Sequence, residues 1–193
     1  PTAPTTSAMY HNLRGTALIL LGSDQDAMSA FRKALAVLGS NGEDVLDQGH
    51  RALVTSHVYH NLGCCQAFVA SDTDSAVTTW RTALDLLRQS KAGDDDAAIN
   101  ADQRRRQQIS EAELLCNVGQ IEINASDSDV RETGIASLAQ ALETLGETYD
   151  VGHVRTARVL ALLARGYHLD GKAVSSEGLY RSALGALEES SAT

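Results

Sequence analysis

Proline is confined to Pro1 and Pro4, so nothing from Thr5 to Thr193 carries the strongest helix breaker. Breaks in the chain must come from clusters of Gly, Ser and Asp instead. Aromatic residues are scarce as well, 4% of the 193 residues against 43% apolar residues overall. The interior must then be built from Leu, Ala, Val and Ile, with Ala letting helices approach closely. No long hydrophobic run occurs. The most apolar stretch, Ala17–Leu21, falls far short of the roughly 20 residues that cross a bilayer, so a soluble protein without membrane insertion is expected. Cysteine is limited to Cys64, Cys65 and Cys116, an odd number without Cys-x-x-Cys spacing. That set gives no disulfide framework and fits a reducing intracellular compartment, the cytoplasm or the interior of an organelle. Basic residues are outnumbered, 16 Lys and Arg against 25 Asp and Glu, for a net charge of −9. Phosphate-backbone binding is not expected from such a chain, and a basic peptide is the better electrostatic match overall. The first residue is Pro1 rather than Met, as in a processed form or an excised fragment.

What is present is a repeat. Tyr10-His11-Asn12-Leu13 returns as Tyr59-His60-Asn61-Leu62, 49 residues later. At the same offset Ala27, Phe31, Ala34, Leu35 and Leu38 map onto Ala76, Trp80, Ala83, Leu84 and Leu87. A third copy reads Asn117-Val118-Gly119, then Ile135, Leu138, Ala141, Leu142 and Leu145, and a fourth ends in Leu179-Tyr180-Arg181-Ser182-Ala183-Leu184. Within each second helix these spacings put the apolar side chains on one face of a 3.6-residue helix. A hairpin alone cannot cover both of its apolar stripes, whereas stacked neighbours can. The offsets between copies are unequal, which places the length differences in Gly39–Gly49 and Ala92–Asn100, both rich in Gly, Asp, Ser and Asn.

Three turns share a chemistry: Ser23-Asp24-Gln25-Asp26, Ser71-Asp72-Thr73-Asp74 and Ser126-Asp127-Ser128-Asp129, each just before a second helix. They read as N-caps, whose short acceptor side chains satisfy orphan backbone N–H groups for about 1 kcal/mol each. A calcium loop is the other reading of Asp-x-Asp, but the loop Gly and distal Glu of an EF-hand are missing.

Leu62-Gly63 in a first helix, followed by Ala76, Trp80 and Ala83 in a second, resembles the tetratricopeptide repeat (TPR). The last copy, Leu163 to Lys172 followed by Leu179 to Leu184, is similar to the kinesin-light-chain type of that repeat. The resemblance covers nearly all of the chain after Ser7. It implies an all-α, right-handed α-solenoid of about four helix-turn-helix units and eight helices. The hairpins are expected at about 8–39, 50–91, 99–146 and 150–190, in one array over 8–190 behind a disordered or extended segment 1–7. The chain departs from the family pattern at Arg14, where Gly or Ala is usual, at Gly134 and Ser176 in place of Ala, and in lacking the proline that closes a unit. The polar tail from Glu188 marks the last helix as an end cap.

In such arrays the first helices line a concave face. The inward positions are His11, Asn12, Gly15, Leu18 and Ile19; His57, His60, Asn61, Cys64 and Phe68; Glu113, Cys116, Asn117, Gln120 and Asn124; and Arg158, Leu162, Arg165 and His168. The resemblance implies that Asn12, Asn61 and Asn117 bond the backbone of an extended peptide, since an amide both donates and accepts. The other reading has these amides bonding the neighbouring repeat or facing water. Leu162 would end the ladder. His57, His60 and Cys64 at i, i+3 and i+7, flanked by His11 and Cys116, raise a zinc reading, but the local ligand spacings of metal sites are missing. Arg104-Arg105-Arg106, following Asp94-Asp95-Asp96, reads as a solvated helix face or as a docking patch for an acidic partner.

No nucleophile with its base, no phosphate-cradling Gly loop and no paired carboxylates can be assembled, so neither an enzyme nor a cofactor site is expected. Two readings remain. One is a protein–protein interaction module, a scaffold or adaptor that binds a peptide or protein segment on the concave face. The other is an architectural subunit of a larger complex held by its outer faces and ends.

Overall fold

The computed structural model describes residues 4–40, 48–93, 101–149 and 153–191. Among these residues the chain is all-α, with eight helices and no strand: α1 (Pro4–Leu20), α2 (Asp24–Gly39), α3 (Gln48–Phe68), α4 (Thr73–Gly93), α5 (Ala101–Glu122), α6 (Ser128–Gly146), α7 (Val154–Leu169) and α8 (Ala173–Ser191). None is long and apolar enough to cross a membrane. Of the expected linkers, 41–47 and 94–100 lie outside the described residues, as do Asp94-Asp95-Asp96.

The extended segment expected over 1–7 does not persist from residue 4 onward, where α1 begins. Proline at a first helical position loses nothing, because its missing N–H has no intrahelical acceptor there and its fixed φ suits the helix. Thr5 is already buried in that first turn.

The chain divides into two compact units, Pro1–Gln107 and Gln108–Thr193. In the first, α1 packs on α2, α3 on α4, and α2 and α1 on α3. Each hairpin closes on a glycine beneath a large ring. A Cβ on Gly15 would come within 2.5 Å of the Phe31 ring, and one on Gly63 within 2.3 Å of Trp80 Nε1. The absent side chain is what lets the ring lie flat on the facing backbone. Trp80 is fully buried and donates its indole N–H to the His60 carbonyl at 3.1 Å. Ala27, Phe31, Ala34 and Leu38 of α2 share one core with Val58, Leu62 and Cys65 of α3, the stacking that each hairpin needs to cover its second stripe.

The second helices repeat at the 49-residue offset of the sequence: Ala27, Phe31, Ala34 and Leu38 are buried, and so are Ala76, Trp80, Ala83 and Leu87. The first helices do not. Thr5, Ala8 and Gly15 are buried where α3 buries Leu53, Ser56 and Gly63, an offset of 48. The turn between α1 and α2 spans Leu21–Ser23, and the turn between α3 and α4 spans Val69–Asp72, one residue more. That extra residue is accommodated by Ser71 at φ 56°, while the shorter turn uses Gly22 at φ 71°. The identical Tyr-His-Asn-Leu tetrapeptides therefore sit one residue out of register. Leu13 is 69% exposed and Leu62 only 6%. Gly15, not Arg14, occupies the close-approach position against Phe31.

In the second unit α5 meets α6 through a third such glycine, where a Cβ on Gly119 would fall 2.6 Å from Leu138 Cγ. α7 packs on α6, with Gly166 against Ile135 and Ile123, and α8 packs on α7. Arg131 of α6 donates to the Ala125 carbonyl at 2.9 Å and lies 3.9 Å from Asp170, which Lys172 grips at 2.7 Å. One arginine thus ties the end of α5 to the turn after α7. Asp127 caps α6 by accepting from the Asp129 and Val130 N–H groups, and Asp72 accepts from Ser75 N–H ahead of α4. Ser23 makes no side-chain cap bond, so the shared turn chemistry acts in two of the three turns.

On α8 only Ser176, Ala183 and Ala186 are buried, and Tyr180, Leu184 and Leu187 stay exposed.

Candidate functional site

The first helices of each unit lie side by side, and their facing polar residues meet. In the first unit Asn61 Nδ2 donates to Asn12 Oδ1 at 3.0 Å, joining α3 to α1. Both amides are half-buried, with His11 and His60 of similar exposure and His57 more open. His11 packs edge-on against Tyr10, with ring centroids 5.4 Å apart, and its Nδ1 has no hydrogen-bond partner. Two of the three ladder asparagines thus make the bond between neighbouring repeats that was the alternative reading. The register slip explains the pairing, because it sets Asn12 three residues before its close-approach glycine and Asn61 two before its own.

In the second unit the same face is built from α5 and α7. Arg158 Nη2 donates to Gln120 Oε1 at 3.1 Å and reaches Asn117 Oδ1 at 3.5 Å, and one heptad on, Arg165 Nη2 donates to Asn124 Oδ1 at 2.5 Å. Asn117 is buried at 6% exposure, while Arg158, Arg165 and Asn124 are exposed. Neither arginine has a carboxylate partner among the described residues. Arg155 does, pairing with Glu113 of α5 and lying over the Tyr149 ring at 5.9 Å. Tyr149 in turn stacks on His153 at 3.9 Å, and His153 Nδ1 accepts from the Arg155 N–H to cap α7.

Beside this row lies a groove of about 320 Å³, lined by Ala112, Glu113, Cys116, Leu145, Val154, Arg155, Arg158 and Val159. Its floor is apolar and its rim carries the arginines. Burial pushes the Cys116 thiol above its usual range, against the opposing pull of Arg158, so it stays protonated at neutral pH. Burial raises Cys65 in the same direction, with Asp24 adding to it. Neither thiol is poised as a nucleophile. None of the three cysteines is in a disulfide. Among the described residues no cluster of three or more His, Cys, Asp or Glu side chains could hold a metal ion, which leaves the His57, His60 and Cys64 spacing without a donor set. Arg104, Arg105 and Arg106 lie exposed in the first turns of α5, and Arg106 sits 3.6 Å from Asp102 on the same helix.

Nine of the ten candidate residues lie on first helices, and Asn124 lies in the turn just after α5. The structure brings them together as two sets, Asn12 with Asn61 in the first unit and Asn117, Gln120 and Asn124 with Arg158 and Arg165 in the second. Sequence reasoning missed Arg155 and its pairing with Glu113. Its signal was the basic spacing 155, 158 and 165 along one helix, read only in part. No protein-family model matches the chain, and no curated protein matches it in sequence.

Proposed function

We propose that the chain is a protein–protein interaction module of TPR-like hairpins, without catalytic activity, that takes an extended peptide or protein segment on the first-helix face. The α5–α7 row is its principal site. One observation carries this reading: among the described residues Arg158 and Arg165 are held by neutral amide oxygens, and Arg158 borders an apolar groove. A guanidinium satisfied by an amide gains from a carboxylate, because charge-assisted hydrogen bonds are about twice as strong as neutral ones. The two arginines stand seven residues apart on one helix, about 10 Å along its axis. A segment extended in the polyproline II conformation has three residues per turn and advances about 3.1 Å per residue, so acidic side chains at i and i+3 share one face about 9 Å apart. The preferred ligand of this face is therefore acidic, opposite to what the net charge of −9 favours for the chain as a whole. In the first unit Asn12 Nδ2 and Asn61 Oδ1 are the amide atoms left over from their mutual bond, and they offer a donor and an acceptor to a peptide backbone.

An array of short peptides carrying acidic, basic or neutral pairs at i and i+3 tests the reading. Wild-type protein is expected to be retained on the acidic set, and an Arg158→Gln, Arg165→Gln variant to lose that retention. Equal retention of both proteins, or none of either, contradicts it.

The second reading, an architectural subunit, rests on a different observation, the exposed apolar residues on α1 and α8.

A further inference from the structure

The tips of the two hairpins in the first unit lie side by side. The Asp24 carbonyl accepts from the Cys65 thiol at 4.0 Å, and Arg51 donates to the Leu38 carbonyl at the other end of the same junction. The turns Leu21–Ser23 and Val69–Asp72 are therefore neighbours. The helix ends that lead out of the described residues, Pro4, Gly39, Gln48 and Gly93, lie at the far end of the hairpins. Between the tips runs a groove of about 420 Å³, lined by Gly22, Asp24, Asp26, Met28, Val69 and Ala70 among others.

Large apolar residues stand around this groove in water. Leu20 and Leu21 are 85% and 77% exposed, and Phe68 and Val69 are 58% and 38% exposed. A turn between helices ordinarily takes polar residues, whose side chains satisfy its free backbone groups. Four large apolar residues gathered on two adjoining tips instead mark a contact surface.

The charge around them is of one sign. From Gly15 to Phe31 and from Asn61 to Trp80 the chain has four aspartates, Asp24, Asp26, Asp72 and Asp74, and no Lys, Arg or His. Among the described residues none of the four is in an ion pair. The N-termini of α2 and α4 offset part of their charge. The tip of α7 and α8 is different, because Lys172 and Arg131 hold its Asp170. Carboxylates from both hairpins thus border an apolar patch that has no cation of its own. An anionic membrane surface is repelled by such a rim. A cationic partner with an apolar stripe matches both features, since Lys and Arg lay apolar stems along a surface and carry their charge to its edge.

We propose that the paired tips of the first unit dock a basic amphipathic helix of a partner protein, with its apolar stripe on Leu20, Leu21, Phe68 and Val69 and its Lys or Arg side chains toward the four aspartates. This surface uses other residues than the α5–α7 row and takes a ligand of opposite charge, so the two readings stand or fall separately. It also gives the net charge of −9 a place to act.

The test is fluorescence anisotropy with a labelled synthetic helix of about 18 residues, five turns, carrying Leu on one face and Lys on the other. A scrambled peptide of the same composition and a Glu-for-Lys version are the comparators. Wild type is expected to bind the Lys–Leu helix saturably, the scrambled peptide about tenfold more weakly, and the Glu version not at all. Leu21→Ser with Phe68→Ser leaves the net charge unchanged and is expected to weaken binding about tenfold. Asp24→Asn, Asp26→Asn and Asp74→Asn together are expected to weaken it and flatten its salt dependence, whereas Glu143→Gln, Glu188→Gln and Glu189→Gln, an equal loss of charge elsewhere, leave it near wild type. Circular dichroism checks that every variant keeps its helices. Absence of saturable binding overturns the proposal, as does equal binding of the scrambled peptide or wild-type binding by the Leu21 and Phe68 variant. A wild-type dimer in light scattering that this variant abolishes would give the tips to a second copy, and binding to anionic vesicles that it abolishes would give them to a membrane; either overturns the proposal.

Discussion

The two units join their first helices with the same kind of residue to opposite electrostatic effect. In the first, one amide satisfies another and the contact is neutral, Asn61 to Asn12. In the second, the amides of Asn117, Gln120 and Asn124 accept from arginines, which leaves two positive charges on the surface without a carboxylate partner among the described residues. A closed amide pair mainly contributes stability, while an arginine held by neutral acceptors is pre-positioned for an anion. Equal-looking polar rows can therefore differ in whether they are finished.

The comparison breaks most severely if the helix spacing beneath one row is lost. Gly119→Val would drive a side chain into Leu138 and the Gly134 carbonyl, and overpacking of that kind costs about 1–3 kcal/mol or more. Chemical denaturation should show the loss, and retention on acidic peptides should fall with it. Asn117→Ala comes next. It removes an acceptor at a buried position facing Arg158, for a cost of about 1–3 kcal/mol by the same measurement. Asn12→Ala is milder, about 0.5–1.5 kcal/mol, because Asn61 is only half-buried and water can replace the lost acceptor. Replacing Asn12 and Asn61 together by Leu should cost less than the sum of the two single changes, since neither amide is then left without its partner.

The turns sharpen it further. Asp127→Ala should cost about 1 kcal/mol in the second unit, and Ser23→Ala close to nothing in the first, because only Asp127 makes cap bonds. The smallest effect concerns pH. The hydrogen bond from Lys172, aided by its charge and that of Arg131, holds the Asp170 carboxyl below its usual range. Its folded pKa is depressed, so the contribution is present above the unfolded value, about 3.9, and is lost as pH falls through the folded one. Asp170→Asn should thus destabilise at neutral pH, with the difference from wild type closing on acidification, as read from thermal midpoints.

The sequence made the second helices legible because a large residue and two alanines at helical spacing can be buried in only one way. Phe31 and Trp80 are equivalent by motif and by burial alike. The first helices were misread by one residue. A repeated tetrapeptide fixes its own alignment but not the length of the turn that follows it, and one extra residue around Ser71 rotates α3 relative to its hairpin partner by a full side-chain position. The asparagine ladder was legible as residue types on one set of helices. Its division into an amide pair and an arginine-bound row was not, because that depends on which side chains meet across helices some 40 to 50 positions apart in the chain.

Side-chain amide resonances give the most direct measurement of the difference between the two rows. On titration with a peptide carrying acidic residues at i and i+3, the NH₂ signals of Asn117, Gln120 and Asn124 are expected to shift together and saturably, while the 3.0 Å pair of Asn12 and Asn61 shifts less. Saturable shifts confined to the Asn12 and Asn61 signals, or no saturable shift at any of the five, would contradict an anion-seeking face on the second unit.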